Sequence, residues 1–279
     1  MILIKGSKLG VLVSYIGRPL LFLVLFDIAV ATTYVFGKYR WIALPDVPLS
    51  IFGGIVGVIV GFRNASAYAR WWEARVVWGG IVNGSRSFAR QVLTMIVGRE
   101  ADETRRKLVL LQIDYVNALR QHLRGAPVSP GPLAIQQNIA SILSECYRQG
   151  WIDDIRWINL DRTLSALMDC QGASERIKNT PMPQLYNMFI HLFTGIYCLL
   201  LPLGMVASLR LWTPLGSALV GFMFLTLDKI GRDLETPFEN TPHDIPVTAI
   251  SRNIEINLRQ MLGEADVPEP LVPIDGVLW

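Results

Sequence analysis

The sequence predicts an all-α membrane protein that combines four membrane helices with a large helical cytoplasmic body. Of its 279 residues, 51% are hydrophobic and only 18% are charged, whereas an ordinary soluble domain is about a quarter charged. The apolar residues form runs that approach the roughly 20 residues needed to cross a bilayer. The segments between these runs carry most of the charges and repeat their apolar residues at helical spacing.

The first predicted domain, residues 1–62, contains a cytoplasmic N-terminal segment and two membrane helices. The run Pro19–Phe36 is nearly long enough to cross the hydrocarbon core alone. The second run, Pro48–Phe62, is shorter, but no proline interrupts the chain from Ser50 to Arg75. We therefore expect one continuous helix that begins among lipid and continues into water.

The second predicted domain, residues 63–183, is a helical cytoplasmic region. Apolar residues between positions 103 and 123 recur close to helical spacing, and Gly125–Pro130 breaks that helix. Two further helices are predicted, one that ends at Gly150 and one that ends before Pro181.

The last two predicted domains are a second pair of membrane helices, residues 184–228, and a cytoplasmic C-terminal region, residues 229–279. Leu185–Leu209 is long enough to cross a bilayer, and Leu211–Leu227 follows after Arg210 alone. So short a connection predicts an antiparallel helical hairpin.

Lysine and arginine residues predict the orientation, because they are enriched in cytoplasmic segments of membrane proteins. The N-terminal segment carries Lys5, Lys8 and Arg18 and no acidic residue. An even number of crossings, with both termini and the helical region in the cytoplasm, fits this distribution. No cleavable signal peptide is recognised.

The sequence has no pattern typical of an enzyme or of a bound cofactor. The three histidines lie far apart and lack metal-ligand spacing: His122, His191 and His243. The three cysteines are interpreted as reduced packing residues: Cys146, Cys170 and Cys198. The net charge of +3 is too small to indicate nucleic-acid binding. We therefore expect no catalysis, no cofactor and no nucleic-acid partner.

Glycines and one acidic residue distinguish the first two membrane helices. Gly54, Val58 and Phe62 recur at spacing four, and such a row either packs against neighbouring helices or forms an apolar ring around a pore. Asp27 lies in the middle of the first helix, where a charge needs a partner. Candidate partners are His191, which lies at a similar depth, and a helix N-terminus.

Several motifs resemble the bestrophin family, in its bacterial branch. The first is "GFRNASAYARWWEAR" at residues 61–75, and "ERIKNTPMP" at Glu175–Pro183 precedes the third apolar run. "LETPFENTPHDIP" at Leu234–Pro246 follows the fourth run, and "VPEPLVPIDGVLW" ends the sequence. Together these motifs extend the resemblance over nearly all 279 residues.

The resemblance implies a homopentamer that passes small monovalent ions through one axial pore in the bacterial inner membrane. In such a pentamer the second helix of each subunit lines a narrow apolar neck. The five helices are expected to pack through small surfaces at Gly53, Gly57 and Gly61.

The resemblance also assigns the neck residues. Phe62 matches the innermost aromatic residue of the family neck, and Val58 lies one turn further out, where bacterial members have an aliphatic residue. The outermost position falls on Gly54, where the family usually has a larger aliphatic residue, so Ile55 is the alternative. A second, cytosolic aperture falls at Ile155 or, one turn on, at Ile158.

The calcium-binding segment of animal bestrophins is largely missing from this sequence. Only Glu239 and Asp244 offer carboxylates where animal members have a run of acidic residues, and calcium takes six to eight oxygen ligands. We therefore expect calcium-independent conduction. The ion sign stays open, because animal members resemble chloride channels and some bacterial members favour cations. A secondary transporter and a membrane-anchored scaffold are the alternatives.

Overall fold

The computed structural model describes residues 15–44 and 48–279, and these form eight α-helices and no β-strand. The chain divides into two compact units. Among the described residues, the membrane unit comprises residues 15–44, 48–70 and 181–235, and the helical body comprises residues 71–180 and 236–279. The predicted domain boundaries at positions 62, 183 and 228 stay predictions.

Four helices contribute to the membrane unit. They are α1 (Gly17–Val35), the first half of α2 (Leu49–Met95), α6 (Gln184–Leu209) and α7 (Thr213–Glu235). Three stretches of the described residues are long and apolar enough to cross a membrane: Gly17–Val35, Leu49–Met95 and Gln184–Glu235. The continuous helix expected from Ser50 to Arg75 is confirmed, since α2 extends without a break over 47 residues.

The connection between α6 and α7 is as short as the sequence predicts. It is a single 3₁₀ turn, Arg210–Trp212, which begins with Arg210 in the left-handed region at φ 50°. The two helices pack against each other, and α1 packs against both. The packing is close enough that a Cβ atom at Gly221 of α7 would overlap the side chain of Leu23 of α1.

The helical body is built from the second half of α2 and from α3 (Asp102–Leu123), α4 (Pro132–Arg148), α5 (Asp154–Asn179) and α8 (Val247–Met261). The helices predicted from the apolar spacing are therefore confirmed. Trp78, Phe88 and Tyr115 are fully buried in its apolar core. Asp153 caps α5, because its side chain accepts a hydrogen bond of 2.8 Å from the backbone N–H of Arg156.

Candidate pore-lining site

The membrane-embedded half of α2 has one face that no other described part of the chain covers. The side chain of Val58 is 58% exposed and that of Phe62 is 67% exposed, although both are apolar. Most of the exposed positions recur every three or four residues, as one face of a helix does: Ile51, Gly54, Ile55, Val58, Gly61, Phe62, Ala65 and Ala69. We call these residues the open face of α2. Phe52, Ser66 and Tyr68 are exposed outside this set.

All four residues predicted for the neck lie on the open face. Gly54, Ile55, Val58 and Phe62 are exposed, and no atom lies within 4 Å of the position that a Cβ would take at Gly54. The apolar residues opposite them are buried against α6: Val56 and Val60 pack with Ile190, Tyr197 and Leu201. This half of α2 therefore packs against α6 on one side and is uncovered on the other.

The expectation for the glycine row is wrong for Gly53. A Cβ atom there would overlap the ring and hydroxyl of Tyr197, so Gly53 serves close packing inside the chain. Gly57 is half-buried, and a Cβ atom there would meet Phe224 of α7 at an ordinary contact distance of 4.0 Å. Gly61 is the exposed member of the three. Gly53 precedes Gly54 by one residue, which is about 100° of helix rotation, and this rotation turns it away from the open face.

Phe62 on the open face is followed at once by a buried cation. Arg63 is fully buried, and its Nη1 donates a hydrogen bond of 2.8 Å to Oδ1 of Asp228 on α7. Its Nη2 donates to the backbone carbonyl of Asp228 at 2.6 Å. The next residue, Asn64, donates from Nδ2 to the carbonyl of Leu227 at 2.9 Å. Two successive residues of α2 are thus bonded to two successive residues of α7.

The second oxygen of Asp228 has two further partners. Nδ1 of His191 on α6 lies 2.9 Å from Oδ2, and Nη2 of Arg232 lies 3.1 Å from the same atom. Asp228 is buried, whereas the side chain of His191 is 57% exposed. We call the set Arg63, Asn64, His191, Asp228 and Arg232 the Asp228 cluster.

His191 was a candidate partner of Asp27, and that expectation is wrong. Asp27 is fully buried on α1, and its Oδ1 accepts a hydrogen bond of 3.0 Å from Ser217 on α7. The need for a partner inside the protein was therefore predicted correctly. Its identity was not, because helix rotation decides which of two residues at similar depth meet.

Glu235, the last residue of α7, bonds to the middle of α2 and to the start of α6. Its carboxylate accepts hydrogen bonds from Nδ2 of Asn187 at 2.6 Å and from the backbone N–H of Met182 at 3.2 Å. Its backbone carbonyl accepts a bond of 2.8 Å from Nε of Arg70. Sequence reasoning missed both Glu235 and the Asp228 cluster. A usable signal was present, since a charge at the end of an apolar run has to be paired.

The residues predicted for the cytosolic aperture lie near the start of α5 in the helical body. Ile155 is 73% exposed, and Ile158, one turn further on, is also exposed. Leu160 of the same helix is buried in the apolar core. The isoleucines thus form an apolar patch that the described chain leaves uncovered, and their role as an aperture stays a prediction.

The two carboxylates left in the calcium-binding segment have other partners. Glu239 forms an ion pair with Lys178. Asp244 is buried and accepts a hydrogen bond from the Thr241 hydroxyl. Burial raises the pKa of the Asp244 carboxyl above its ordinary range, although the bond from Thr241 opposes the shift. Among the described residues, no three histidine, cysteine or acidic side chains are grouped so that they could hold a metal ion.

These features define an all-helical membrane protein whose long second helix presents an uncovered apolar face. The sequence model of the bacterial and fungal bestrophin proteins matches residues 3–260. The chain therefore belongs to the bacterial and fungal bestrophin family, as its motifs predicted. Proteins of this family are ion channels, and the chain is accordingly a membrane channel protein and not an enzyme.

Individual relatives are similar over most of their length. The chain is 33% identical over 284 aligned residues to the voltage-dependent anion channel-forming protein YneE of Escherichia coli K12, which covers 95% of this chain and 92% of the relative. A relative with the same description from Ralstonia nicotianae is 32% identical, and the aligned region covers 79% of this chain and 78% of the relative. A bacterial bestrophin homologue from Klebsiella pneumoniae, solved with one mutation, superimposes with a TM-score of 0.83 at 27% identity and covers 89% of this chain and 99% of its own.

Proposed function

We propose that the protein forms a homopentamer around a single axial pore and passes small monovalent ions across the bacterial inner membrane. The observation that carries the proposal is the open face of α2, which no other described part of the chain covers. An apolar helix face in a membrane packs against lipid or against other helices. Because the chain belongs to a family of channels, we infer that other copies of the chain surround this face. The number of five copies comes from the family resemblance.

The neck of this pore is formed by Gly54, Ile55, Val58 and Phe62. Apolar side chains offer an ion no replacement for its hydration shell, so a narrow apolar ring gates by excluding water. Val58 and Phe62 lie one turn apart on the open face and form the narrowest part. A second constriction is formed by Ile155 and Ile158, whose exposure in the single chain fits a surface that surrounds a passage.

Each subunit crosses the membrane four times, with both termini in the cytoplasm. The stretch Gln184–Glu235 has 52 residues, which at 1.5 Å per residue is about 78 Å of helix. The hydrocarbon core is only about 30 Å thick. The turn at Arg210–Trp212 divides this stretch into two crossings, and α1 and α2 supply the others. The lysine and arginine residues near the N-terminus favour a cytoplasmic side for both termini.

Both ion signs are compatible with the neck. The curated relatives are named anion channel-forming proteins, and the positive edge of an aromatic ring such as Phe62 can face an anion. Cations are the alternative, because Val58 has no such edge and some bacterial bestrophins favour cations. The open face itself carries no charged residue from Ile51 to Ala69. The reversal potential in asymmetric salt decides between the two.

Conduction is proposed to be independent of calcium. Glu239 and Asp244 are the carboxylates nearest to the family calcium site, and each already has a partner inside the protein. Two carboxylates fall well short of the six to eight oxygen ligands that calcium takes.

The proposed function is tested by purifying the protein in mild detergent, measuring the mass of the complex and then measuring ion flux into liposomes. The expected result is a mass of five subunits and a rapid flux driven by an ion gradient. A monomer or a dimer would contradict the pore. A pentamer without flux would favour the membrane-anchored scaffold, whose exposed isoleucines on α5 would then bind another protein. Slow, saturable flux with coupled ions would favour a secondary transporter.

A further inference from the structure

We propose that the Arg63–Asp228 ion pair is a positioning element that fixes the rotation of α2 and so holds Phe62 toward the pore. The inference rests on the proposed function, because it assigns a role at the same neck. It concerns residues that act through Phe62 and Val58 and do not line the pore themselves.

Rotation is fixed because Phe62 and Arg63 are consecutive residues of one helix. Successive side chains of an α-helix point about 100° apart, since a turn has 3.6 residues. When the guanidinium of Arg63 is bonded to α7, the direction of the Phe62 side chain follows from it. The observed exposures agree, with Arg63 fully buried and Phe62 67% exposed.

The contact between the two helices allows little movement. Arg63 uses two nitrogens, on Oδ1 of Asp228 and on its backbone carbonyl, and a planar guanidinium held at two points resists rotation. Gly231 lies directly against this group, where a Cβ atom would overlap both Asn64 and the Arg63 guanidinium. Because Gly231 has no side chain, the Arg63 guanidinium can lie close to the backbone of α7 at this point.

Asp228 holds more than one cationic group. Two guanidinium groups, those of Arg63 and Arg232, share its carboxylate, and Nδ1 of His191 lies 2.9 Å from the same carboxylate. Loss of this carboxylate would leave the buried Arg63 guanidinium without its charge partner, which is strongly destabilising for a buried ion pair. Substitution of Asp228 is therefore expected to release α2 from α7.

The other two described aspartates of the membrane unit have different partners. Asp233 of α7 is bonded to Tyr15, which precedes α1, and to Lys229. Asp27 is bonded to Ser217. Asp228 is thus the carboxylate to which Arg63, Arg232 and His191 all bind among the described residues.

The experiment measures the rotation of α2 directly, by reaction of introduced cysteines with a charged, water-soluble thiol reagent during current recording. Phe62→Cys and Val60→Cys are made in the parent chain and in Asp228→Asn. In the parent chain, the reagent is expected to block current rapidly through Phe62→Cys and slowly through Val60→Cys, because Val60 is buried against α6. In Asp228→Asn, the ratio of the two rates is expected to fall severalfold toward one.

A ratio that is the same in the parent chain and in Asp228→Asn would overturn the positioning role. If Asp228→Asn does not assemble, Arg63→Lys takes its place, because lysine keeps the charge and lacks the planar two-point contact. Its ratio is expected to fall as well, and a parental ratio in this variant would likewise overturn the positioning role. Absence of block at Phe62→Cys in a conducting parent chain would instead contradict the proposed neck.

Discussion

Val58, Val60 and Phe62 are close in sequence, but they lie in different environments. Val60 is buried between α2 and α6, whereas Val58 and Phe62 lie on the open face. All three are apolar, so hydropathy gives them the same description. What separates them is rotation about the helix axis, and each therefore has a different expected response to substitution.

Truncation of Phe62 to alanine is expected to raise unitary conductance with little loss of stability. The side chain is largely uncovered in the chain, and its removal widens the ring in all subunits at once. Val60→Ala is the matched control, because it removes a buried side chain; it should lower the melting temperature of the complex and leave conductance near the parental value. Single-channel recording and thermal melting measure the two effects.

Val58→Phe is expected to move the reversal potential toward that of anions, because the new aromatic edges carry partial positive charge. Lowered melting of Phe62→Ala without any change in conduction would assign Phe62 to packing. A reversal potential in Val58→Phe equal to the parental value would remove Val58 from the lining.

Asp244 gives a prediction about stability and pH. Burial raises its folded-state pKa, so its carboxylate costs stability once it ionises, and that cost grows as the pH rises from its unfolded value toward its folded value. Asp244→Asn keeps an acceptor for Thr241 and removes the charge. It is expected to raise the melting temperature at neutral pH, and the difference should vanish below about pH 4, near the ordinary pKa of aspartate. An equal difference at both pH values would exclude burial of the charge as the cause.

At the scale of the element, α5 combines an apolar core side with an exposed apolar start. Ile155→Ala is expected to change conductance or selectivity while it leaves stability within about 0.5 kcal/mol, as substitutions at exposed sites do. The control on the same helix is Leu160→Ala, which removes a buried side chain and should cost about 2–5 kcal/mol. Parental conduction in both Ile155→Ala and Ile158→Ala would remove the aperture from α5.

The long helix α2 contributes to both compact units without interruption. Its first half is enclosed on one side by α6 and α7, and its second half helps to form the core of the body around Trp78 and Phe88. Absence of proline from this part of the sequence predicted its continuity. Its rotation depends on Arg63 and on partners more than 100 residues away in sequence.

At the scale of the whole molecule, the proposed channel should conduct without calcium. Flux into liposomes is expected to be the same within error with a strong chelator and with micromolar calcium, since Glu239 is paired with Lys178 and Asp244 is buried. Lys178→Ala, which frees Glu239, is a control that is expected to stay independent of calcium, because two carboxylates do not complete a site. Flux that a chelator abolishes and calcium restores would contradict the assignment.

The sequence by itself determined the helical class, the apolar runs, the helices of the body and the family. Each of these follows from local patterns: runs of about 20 apolar residues, periodic apolar spacing, breaks at glycine and proline, and motifs such as Arg70-Trp71-Trp72. It also indicated that Phe62 and Val58 share a helix face, because their separation is one helical turn.

The tertiary structure decided which face each residue occupies and which charges meet. It directed Gly53 and Gly57 to Tyr197 and Phe224 inside the chain, and it bonded His191 to Asp228 and Asp27 to Ser217. The physical reason is that neighbouring rows of equal spacing differ by about 100° around the helix, so the spacing alone does not say which row faces the protein, and that ion pairs join residues distant in sequence. Rotation and pairing of this kind are set by packing between helices, which a local pattern does not contain.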